Sequence, residues 1–167
     1  MRYASIRGLD VSNGEGVGIS LFVQGCDFHC SGCFNSETWD FNGGNEWTSD
    51  SKEKVLKLLN RPFIQRITIL GGEPLAEQNI ADVLNLVEEI RVSFPDKSIW
   101  LYTGYTYEEC LIQTMRSRII ENVDVVVDGR YIEALKDLNL PWRGSSNQRV
   151  IDVKKSLKKG EIILWDS

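Results

Sequence analysis

The chain has 167 residues, of which 42% are hydrophobic and 26% charged, and its net charge is −5. This composition predicts one globular domain with a sizeable core, and it excludes intrinsic disorder and collagen-like structure. The acidic balance disfavours a nucleic-acid backbone as the main partner.

Two further features of the sequence indicate a compartment and a type of chemistry. No run approaches the ~20 apolar residues of a membrane-spanning helix, and the N-terminus lacks the apolar core of a signal peptide. We therefore expect a cytoplasmic protein that does not bind membranes. Four cysteines are too few for a disulfide scaffold, but three of them lie between positions 26 and 33. In a reducing compartment such a group indicates metal or redox chemistry.

Short β-rich runs alternate with longer segments of helical period, which predicts at least four βα units around a mainly parallel sheet. The first strand, residues 19 to 24, leads directly into the cysteine loop, residues 26 to 33. A helix near residues 51 to 59, capped by Ser or Asp, comes next. The second strand, residues 66 to 70, is followed by the loop Gly71-Gly72-Glu73-Pro74.

The second half of the chain continues the same alternation. A helix follows the Gly-Gly-Glu-Pro loop and ends near residue 94. Its apolar face is formed by Ile80, Val83, Leu84, Val87 and Ile90. Residues 98 to 102 are the third strand, and Thr106 with Glu109 forms a capping box that opens a third helix. Residues 123 to 127 read as a fourth strand that is buried on both faces.

The number of units limits the fold. A complete eight-unit barrel needs at least ~200 residues, so we predict an α/β fold that forms an open, partial βα barrel with a mainly parallel sheet. One domain would span residues 1 to 167, with a basic extension from about residue 154. Residues 142 to 167 hold six basic and three acidic side chains. Functional residues are expected where parallel strands end, because those loops share one end of the sheet.

The cysteine loop carries the strongest chemical signal. Cys26-x3-Cys30-x2-Cys33 places three thiolates close enough to bind three irons of a 4Fe-4S cluster. A cluster that only carries electrons normally takes four thiolates, so three indicate an iron left open for a substrate or cofactor. Zinc bound with His29 is the alternative, although adjacent His29 and Cys30 would hardly reach one tetrahedral ion together. Cys110 could supply a fourth ligand, but we expect a small buried residue in a helix.

Two glycine-rich segments carry weaker signals. In Gly71-Gly72-Glu73-Pro74, glycine allows a ligand close to the backbone, and Glu73 can accept a hydrogen bond from an ammonium group. The alternative is an ordinary turn and helix cap. Gly14-x-Gly16-x-Gly18 precedes a strand instead of joining a strand to a helix, so it indicates a turn and not a dinucleotide site.

The cysteine loop and the Gly-Gly-Glu-Pro loop together resemble the radical S-adenosylmethionine superfamily. Between residues 10 and 152 the chain also resembles the anaerobic ribonucleoside-triphosphate reductase-activating proteins. The segments that carry this second resemblance are Asn13-Gly14-Glu15-Gly16, Gly25-Cys26, Gly32-Cys33-Phe34-Asn35, Trp100-Leu101-Tyr102-Thr103-Gly104-Tyr105, Val126-Val127-Asp128-Gly129 and Trp142-Arg143-Gly144-Ser145-Ser146-Asn147-Gln148. Phe34 departs from the tyrosine or histidine usual there, and the chain from Lys154 onward extends past the usual end.

The resemblance implies a set of site residues. Cys26, Cys30 and Cys33 would hold the cluster, and S-adenosylmethionine would chelate its open iron. The backbone of Gly71 and Gly72 with the Glu73 carboxylate would fix the methionine ammonium. The remaining cofactor-binding assignments are Gly32, Cys33 and Phe34 beside the adenosine, with Thr103, Asp128 and Arg130 added from their strand-end positions. No catalytic side chain is assigned beyond the cluster and cofactor.

The resemblance also implies a reaction and its partners. Reductive cleavage of S-adenosylmethionine, with an electron from a donor such as flavodoxin, would give a 5'-deoxyadenosyl radical. This radical would take hydrogen from a glycine in the large subunit of the anaerobic reductase, leaving a glycyl radical. The alternatives are an activase of another glycyl-radical enzyme, such as pyruvate formate-lyase, and a non-enzymatic iron–sulfur electron carrier. Residues 142 to 149 either dock the partner or form a polar loop that covers an open sheet edge.

Overall fold

The computed structural model, which describes residues 1 to 166, contains a seven-stranded sheet in the order β3-β1-β2-β4-β5-β6-β7. The strands are β1 Arg2–Asp10, β2 Gly18–Gln24, β3 Asn45–Glu46, β4 Arg66–Gly71, β5 Ser98–Tyr102, β6 Val125–Asp128 and β7 Arg149–Asp152. The helices are α1 Ser49–Leu59, α2 Ile80–Ser93, α3 Tyr107–Leu111, α4 Thr114–Asn122 and α5 Val153–Lys159, with single 3₁₀ turns at Ser36–Thr38 and Glu133–Leu135. Within the described residues, no helix is long and apolar enough to cross a membrane.

The centre of the sheet is parallel and its margins are antiparallel. Strands β2, β4, β5 and β6 pair in parallel, which confirms an α/β fold with a mainly parallel core. Strands β1, β3 and β7 pair antiparallel, and none of the three was predicted. Helix α1, helix α2 and the pair α3 and α4 connect the parallel strands. The prediction of a fourth βα unit is wrong. In the part of the chain that the structure describes, no α-helix directly follows β6, which instead leads through a long loop into the antiparallel strand β7.

The predicted central elements match the structure closely, and their ends differ for local reasons. Three strands agree within one residue, whereas the fourth begins two residues later than expected, at Val125. Helix α1 is capped by Thr48, not by Ser or Asp. The predicted capping box at Thr106 and Glu109 is present. The expected third helix is divided into α3 and α4, because the Gln113 side chain starts a new helix by accepting from the Arg116 N–H at 2.7 Å.

Alternate residues of the central strands separate two environments. On one face, aliphatic strand residues such as Ile67, Ile69 and Leu101 share a fully buried cluster with helices α1, α2 and α4. All five residues of the predicted apolar face of α2 are buried, as expected. On the opposite face the same strands present polar and aromatic side chains, among them Thr68 and Trp100.

The N-terminal glycine segment encloses a buried arginine. The Arg66 guanidinium has no exposed surface and donates to the backbone oxygens of Asp10 at 2.9 Å and Glu15 at 3.1 Å. Its ion pair with the Asp10 carboxylate measures 3.7 Å. A Cβ on Gly14 would lie 2.7 Å from Arg66 Nε, so this position requires glycine. The segment is a bend between β1 and β2, as its place before a strand predicted.

The basic C-terminal extension is folded onto the sheet. Asp152 caps α5 by accepting from the Lys155 N–H at 3.0 Å, and Gly160 ends the helix with φ 70°. The chain then returns to β7, where its last described residues bring the Trp165 ring edge-on to Trp100 at 5.7 Å. The extension therefore covers part of the face opposite the helices.

Candidate functional site

A cavity of about 410 Å³ opens at the carboxyl ends of the parallel strands. Its floor takes one side chain from each central strand, namely Phe22, Leu70, Tyr102 and Val127. All four belong to the face of the sheet that the helices leave uncovered. The strand-end argument from the sequence therefore located the right end of the sheet.

The cysteine loop forms one wall of this cavity. Strand β2 ends at Gln24, and Gly25, with φ 103°, turns the chain so that its N–H donates to Thr38 O at 2.6 Å. Cys26, Cys30 and Cys33 are free thiols, and all three line the cavity. The Cys33 N–H donates to Cys30 O at 3.1 Å, which keeps the second half of the loop tight.

Burial makes the Cys26 and Cys30 thiols reluctant to ionise on their own. It raises the pKa of Cys26, and nearby Glu73 and Cys30 raise it further. It also raises the pKa of Cys30, with Cys33 as the second cause. A bound cation is what would stabilise thiolates here, because metal coordination deprotonates a thiol.

The donor set fits an iron–sulfur cluster better than one zinc ion. Within residues 1 to 166 no three His, Cys, Asp or Glu side chains gather tightly enough for a single metal ion. A 4Fe-4S cluster offers separate iron corners to its thiolates, so cysteines spread along one wall suit it. His29 is exposed and stacks on Trp39, with ring centroids 4.5 Å apart. Cys110 lies in α3, fully buried in the helix-covered core, and burial raises its pKa to about 12.

The two glycines of the Gly-Gly-Glu-Pro loop pack against the start of the cysteine loop. The Gly72 N–H donates to Val23 O at 2.9 Å, and the Glu73 N–H donates to Gly25 O at 2.8 Å. A Cβ on Gly72 would lie 2.5 Å from Gly25 O, and Gly71 has φ 109°. Close packing of two backbones explains the glycines, while their exposed edges still line the cavity.

Glu73 joins two strand-end loops. Its buried carboxylate accepts from the Leu75 N–H at 3.0 Å, the Thr103 hydroxyl at 2.6 Å and the Gly104 N–H at 2.8 Å. Burial nevertheless raises the pKa of Glu73, because desolvation outweighs these three donors. A carboxylate has about four acceptor positions, so one is left for a further donor. Thr103 thus acts here by orienting Glu73, and it also accepts from the Tyr105 N–H.

The structure divides the other assigned residues into two groups. Cys33, Phe34 and Arg130 line the cavity, and the Arg130 guanidinium lies 4.2 Å from the centre of the Phe28 ring. Gly32 and Asp128 do not line it. A Cβ on Gly32 would fall 2.0 Å from a carboxylate oxygen of Glu133, so this glycine allows the cysteine loop to pass close to that side chain.

Asp128 points to the helix side of the sheet. Because Val127 faces the cavity, strand alternation turns the next side chain away. The Asp128 carboxylate accepts from the Tyr107 N–H at 2.7 Å and from Arg149 Nη2 at 2.5 Å. A position at a strand end therefore does not reveal which face the side chain occupies.

Several cavity residues were missed by sequence reasoning. Arg7 comes from the unpredicted strand β1 and lies 4.6 Å from the centre of the Phe22 ring. Trp142 and Arg143 come from the loop before β7, and Tyr102 donates its hydroxyl to Trp142 O at 2.6 Å. For Trp142 and Arg143 the sequence predicted a docking segment or a polar loop over a sheet edge, and not a place in the cavity.

Comparison with known proteins decides the family. Residues 12–151 match the protein family described as a 4Fe-4S single cluster domain. The anaerobic ribonucleoside-triphosphate reductase-activating protein of Salmonella typhimurium is 41% identical over 152 residues, which cover 90% of this chain and 97% of that protein. The protein of the same name from Enterobacteria phage T4 is 39% identical over 150 residues, covering 90% and 93%. The chain belongs to the anaerobic ribonucleoside-triphosphate reductase-activating protein family.

Membership of this family confirms the resemblance to the anaerobic ribonucleoside-triphosphate reductase-activating proteins. The matched residues include the three cavity cysteines and the Gly-Gly-Glu-Pro loop, and the family description supports a 4Fe-4S cluster as the cofactor. The match stops before helix α5, so the basic extension is a feature of this chain outside the matched domain.

Proposed function

We propose that this chain activates an anaerobic ribonucleoside-triphosphate reductase by reductive cleavage of S-adenosylmethionine at a 4Fe-4S cluster. Residues 1 to 167 would form one radical S-adenosylmethionine domain, an open partial barrel with a basic extension from about residue 154. The observation that carries the proposal is a cavity with three free cysteines on one wall. The chain's fourth cysteine, Cys110, is buried outside this cavity.

When bound, the cluster and cofactor would supply one-electron cleavage of S-adenosylmethionine to methionine and a 5'-deoxyadenosyl radical, and this radical would take hydrogen from a glycine of the reductase's large subunit. The chain's own residues bind and orient. Cys26, Cys30 and Cys33 would hold the cluster as thiolates. Glu73 offers its remaining acceptor position to the methionine ammonium, and the Thr103 and Gly104 donors fix its direction.

The cavity walls would then position and shield the cofactor. The side chains of Phe22, Leu70 and Val127 provide an apolar floor that limits water near the reacting atoms. Arg130 and Phe34 would lie beside the adenosine, whereas Gly32 and Asp128 would act indirectly, by shaping the cysteine loop and by holding α3. A flavodoxin-type donor is our proposed source of the electron.

Anaerobic reconstitution tests this proposal. The iron-loaded protein, reduced chemically, should release 5'-deoxyadenosine and methionine, and with the reductase it should produce a glycyl radical by electron paramagnetic resonance. Cluster assembly without 5'-deoxyadenosine would indicate an iron–sulfur electron carrier. Cleavage with a radical on pyruvate formate-lyase but none on the reductase would indicate an activase of another glycyl-radical enzyme.

A further inference from the structure

The β6–β7 loop, residues 129 to 148, is a long segment whose conformation is fixed from within. Loops of this length with little secondary structure are uncommon and usually functional. The Asp137 N–H donates to Gly144 O at 3.1 Å, and the Ser146 N–H donates to Leu135 O at 2.9 Å. Gln148 Nε2 closes the base of the loop by donating to the backbone oxygen of Gly129 at 2.9 Å.

This loop presents apolar side chains at the mouth of the cavity. Leu138 is 79% exposed and also lines the cavity, which places it on the rim. Exposed Ile132 and Leu135 belong to the same loop, and the half-exposed Phe34 ring packs against Tyr131 with centroids 5.0 Å apart. Exposed apolar groups beside a binding cavity mark an interaction site.

The charges inside the mouth favour a negatively charged partner group. The guanidinium groups of Arg7, Arg130 and Arg143 line the cavity, and within residues 1 to 166 none of them forms an ion pair. Arg143 Nη1 donates to Gln148 O at 2.5 Å, whereas the buried Arg143 Nε has no hydrogen-bond partner among the described residues. Apart from the three cysteines assigned to the cluster, the acidic side chain that lines the cavity is Glu73, and its carboxylate already accepts from three donors.

We infer that the β6–β7 loop docks the glycine-bearing segment of the reductase. This inference rests on the proposed function, in which the substrate is a main-chain glycine of another protein. That segment must pass the rim to reach the cavity, so it should carry an apolar side chain that packs on Leu138. Charge complementarity assigns it an acidic side chain near the glycine, within reach of Arg143.

The segment 142 to 149 supports the loop from inside. Arg149 pairs with Asp128 and with Glu108, and Asn147 donates to Arg130 O at 2.8 Å. Trp142 packs edge-on to Trp100 at 5.8 Å. Several side chains of residues 142 to 149 therefore make contacts within the protein. We assign the docking contact instead to the exposed Leu138 on the rim.

Leu138→Glu is the decisive variant, because it removes an apolar contact and adds a charge of the same sign as the partner's. Calorimetry with the cluster-loaded protein and the purified reductase should show binding weakened about tenfold or more. The reductase concentration for half-maximal glycyl-radical formation should rise to a similar extent. Uncoupled release of 5'-deoxyadenosine should stay near the wild-type rate, because the Leu138 side chain is largely exposed on the rim and is assigned neither to the cluster nor to S-adenosylmethionine.

Ile112→Glu is the matched control, since Ile112 is 87% exposed and does not line the cavity. It should leave reductase binding unchanged. If Leu138→Glu lowers the thermal midpoint, Leu138→Ala replaces it and should weaken binding in the same direction. Higher salt should weaken wild-type binding, because the proposed attraction is partly ionic.

The outcomes separate docking from chemistry. Unchanged reductase binding in Leu138→Glu, or equal weakening in Ile112→Glu, overturns docking at this loop while leaving the cleavage reaction in place. Parallel loss of uncoupled cleavage also overturns it, since the loop would then belong to the cofactor site. A wild-type protein that releases no 5'-deoxyadenosine but binds the reductase through Leu138 overturns the proposed chemistry and supports docking.

Discussion

The two faces of the central sheet have different chemical environments, although adjacent residues of one strand point to opposite faces. In β4, Ile67 and Ile69 lie in an aliphatic core against the helices, whereas Arg66 and Thr68 face the other way into a polar network. The helix side is filled by shape and volume. The cavity side depends on particular donors and acceptors, so each substitution there should have its own chemical consequence.

The polar face is also the costlier one to assemble. Arg66 is fully buried, and its stability depends on Asp10 and on backbone oxygens that the glycine bend brings to it. A buried charge without its partners is strongly unfavourable, whereas a missing methyl group leaves only a small cavity. The comparison of the two faces can therefore be tested by one substitution on each face.

The largest expected difference is in cluster content, between variants of the cavity cysteines and a variant of the cysteine buried against the helices. Alanine at Cys26, Cys30 or Cys33 should abolish the cluster, because each removes one of three ligands on a single loop. Cys110→Ala should retain it, since that thiol is buried against the helices. Iron and sulfide analysis with visible absorption measures the result. Loss of the cluster in Cys110→Ala would contradict the three-cysteine assignment and favour a four-ligand carrier.

Asp10→Ala should give the next largest effect, on stability. It leaves Arg66 buried without its carboxylate and should cost about 3–5 kcal/mol of unfolding free energy. Ile69→Val, which removes one methyl group from the opposite face, should cost about 0.5–1.5 kcal/mol. Urea unfolding of the cluster-loaded protein compares them, and equal losses would show that the polar face is not more sensitive.

Asp10 also predicts a pH dependence. Burial alone would raise its pKa, but hydrogen bonds from Ser20, Asn13 and the Ser12 N–H together hold the pKa below 3.8. A lowered pKa means that this carboxylate stabilises the fold fully above pH 3.8 and that the contribution is lost as pH falls through the folded-state pKa. Asp10→Asn should flatten the acid limb of a stability profile. An acid limb identical to wild type would exclude this contribution.

Glu73→Gln should have a smaller effect that combines binding and folding. The neutral amide weakens a charge-assisted hydrogen bond to the methionine ammonium, at about 1.5–3 kcal/mol of S-adenosylmethionine affinity, while the cluster still assembles. Thr103→Val is the control, because it removes one donor to Glu73 and keeps the charge. Calorimetry should show the larger loss of affinity in Glu73→Gln. Unchanged affinity with a lowered thermal midpoint in both would restrict Glu73 to joining the two loops.

The sequence predicted the parts of the fold that are locally encoded. Strands β2, β4 and β5 have long apolar runs, and the five buried positions of α2 follow a helical period. Strand β1 alternates half-buried and exposed residues without a clear apolar pattern, so its pairing with β2 was not visible. Strand β7 has four residues and depends on a distant partner for its formation.

The candidate site shows the same limit. The three cysteines and Glu73 line the cavity because they lie on short loops that directly follow strands β2 and β4. For Asp128 the alternation of β6 decides the face, and a shift of one residue in the predicted strand reverses the answer. Arg7 and Leu138 enter the cavity from elements that only tertiary packing defines.

The smallest expected effect concerns the part of the cavity face that the C-terminal extension covers. Trp165 packs edge-on to Trp100, an arrangement worth about 0.5–1.5 kcal/mol, so Trp165→Ala should lower the unfolding free energy by about 1 kcal/mol. Its indole N–H is buried without a partner, and Trp165→Phe should therefore keep most of the stability, because it retains an aromatic edge and removes that donor. Leu164→Ala, at an exposed neighbour, should change little. Denaturant unfolding orders the three variants. An equal loss of unfolding free energy in Leu164→Ala and Trp165→Ala would show that the contact between Trp165 and Trp100 makes no specific contribution to stability.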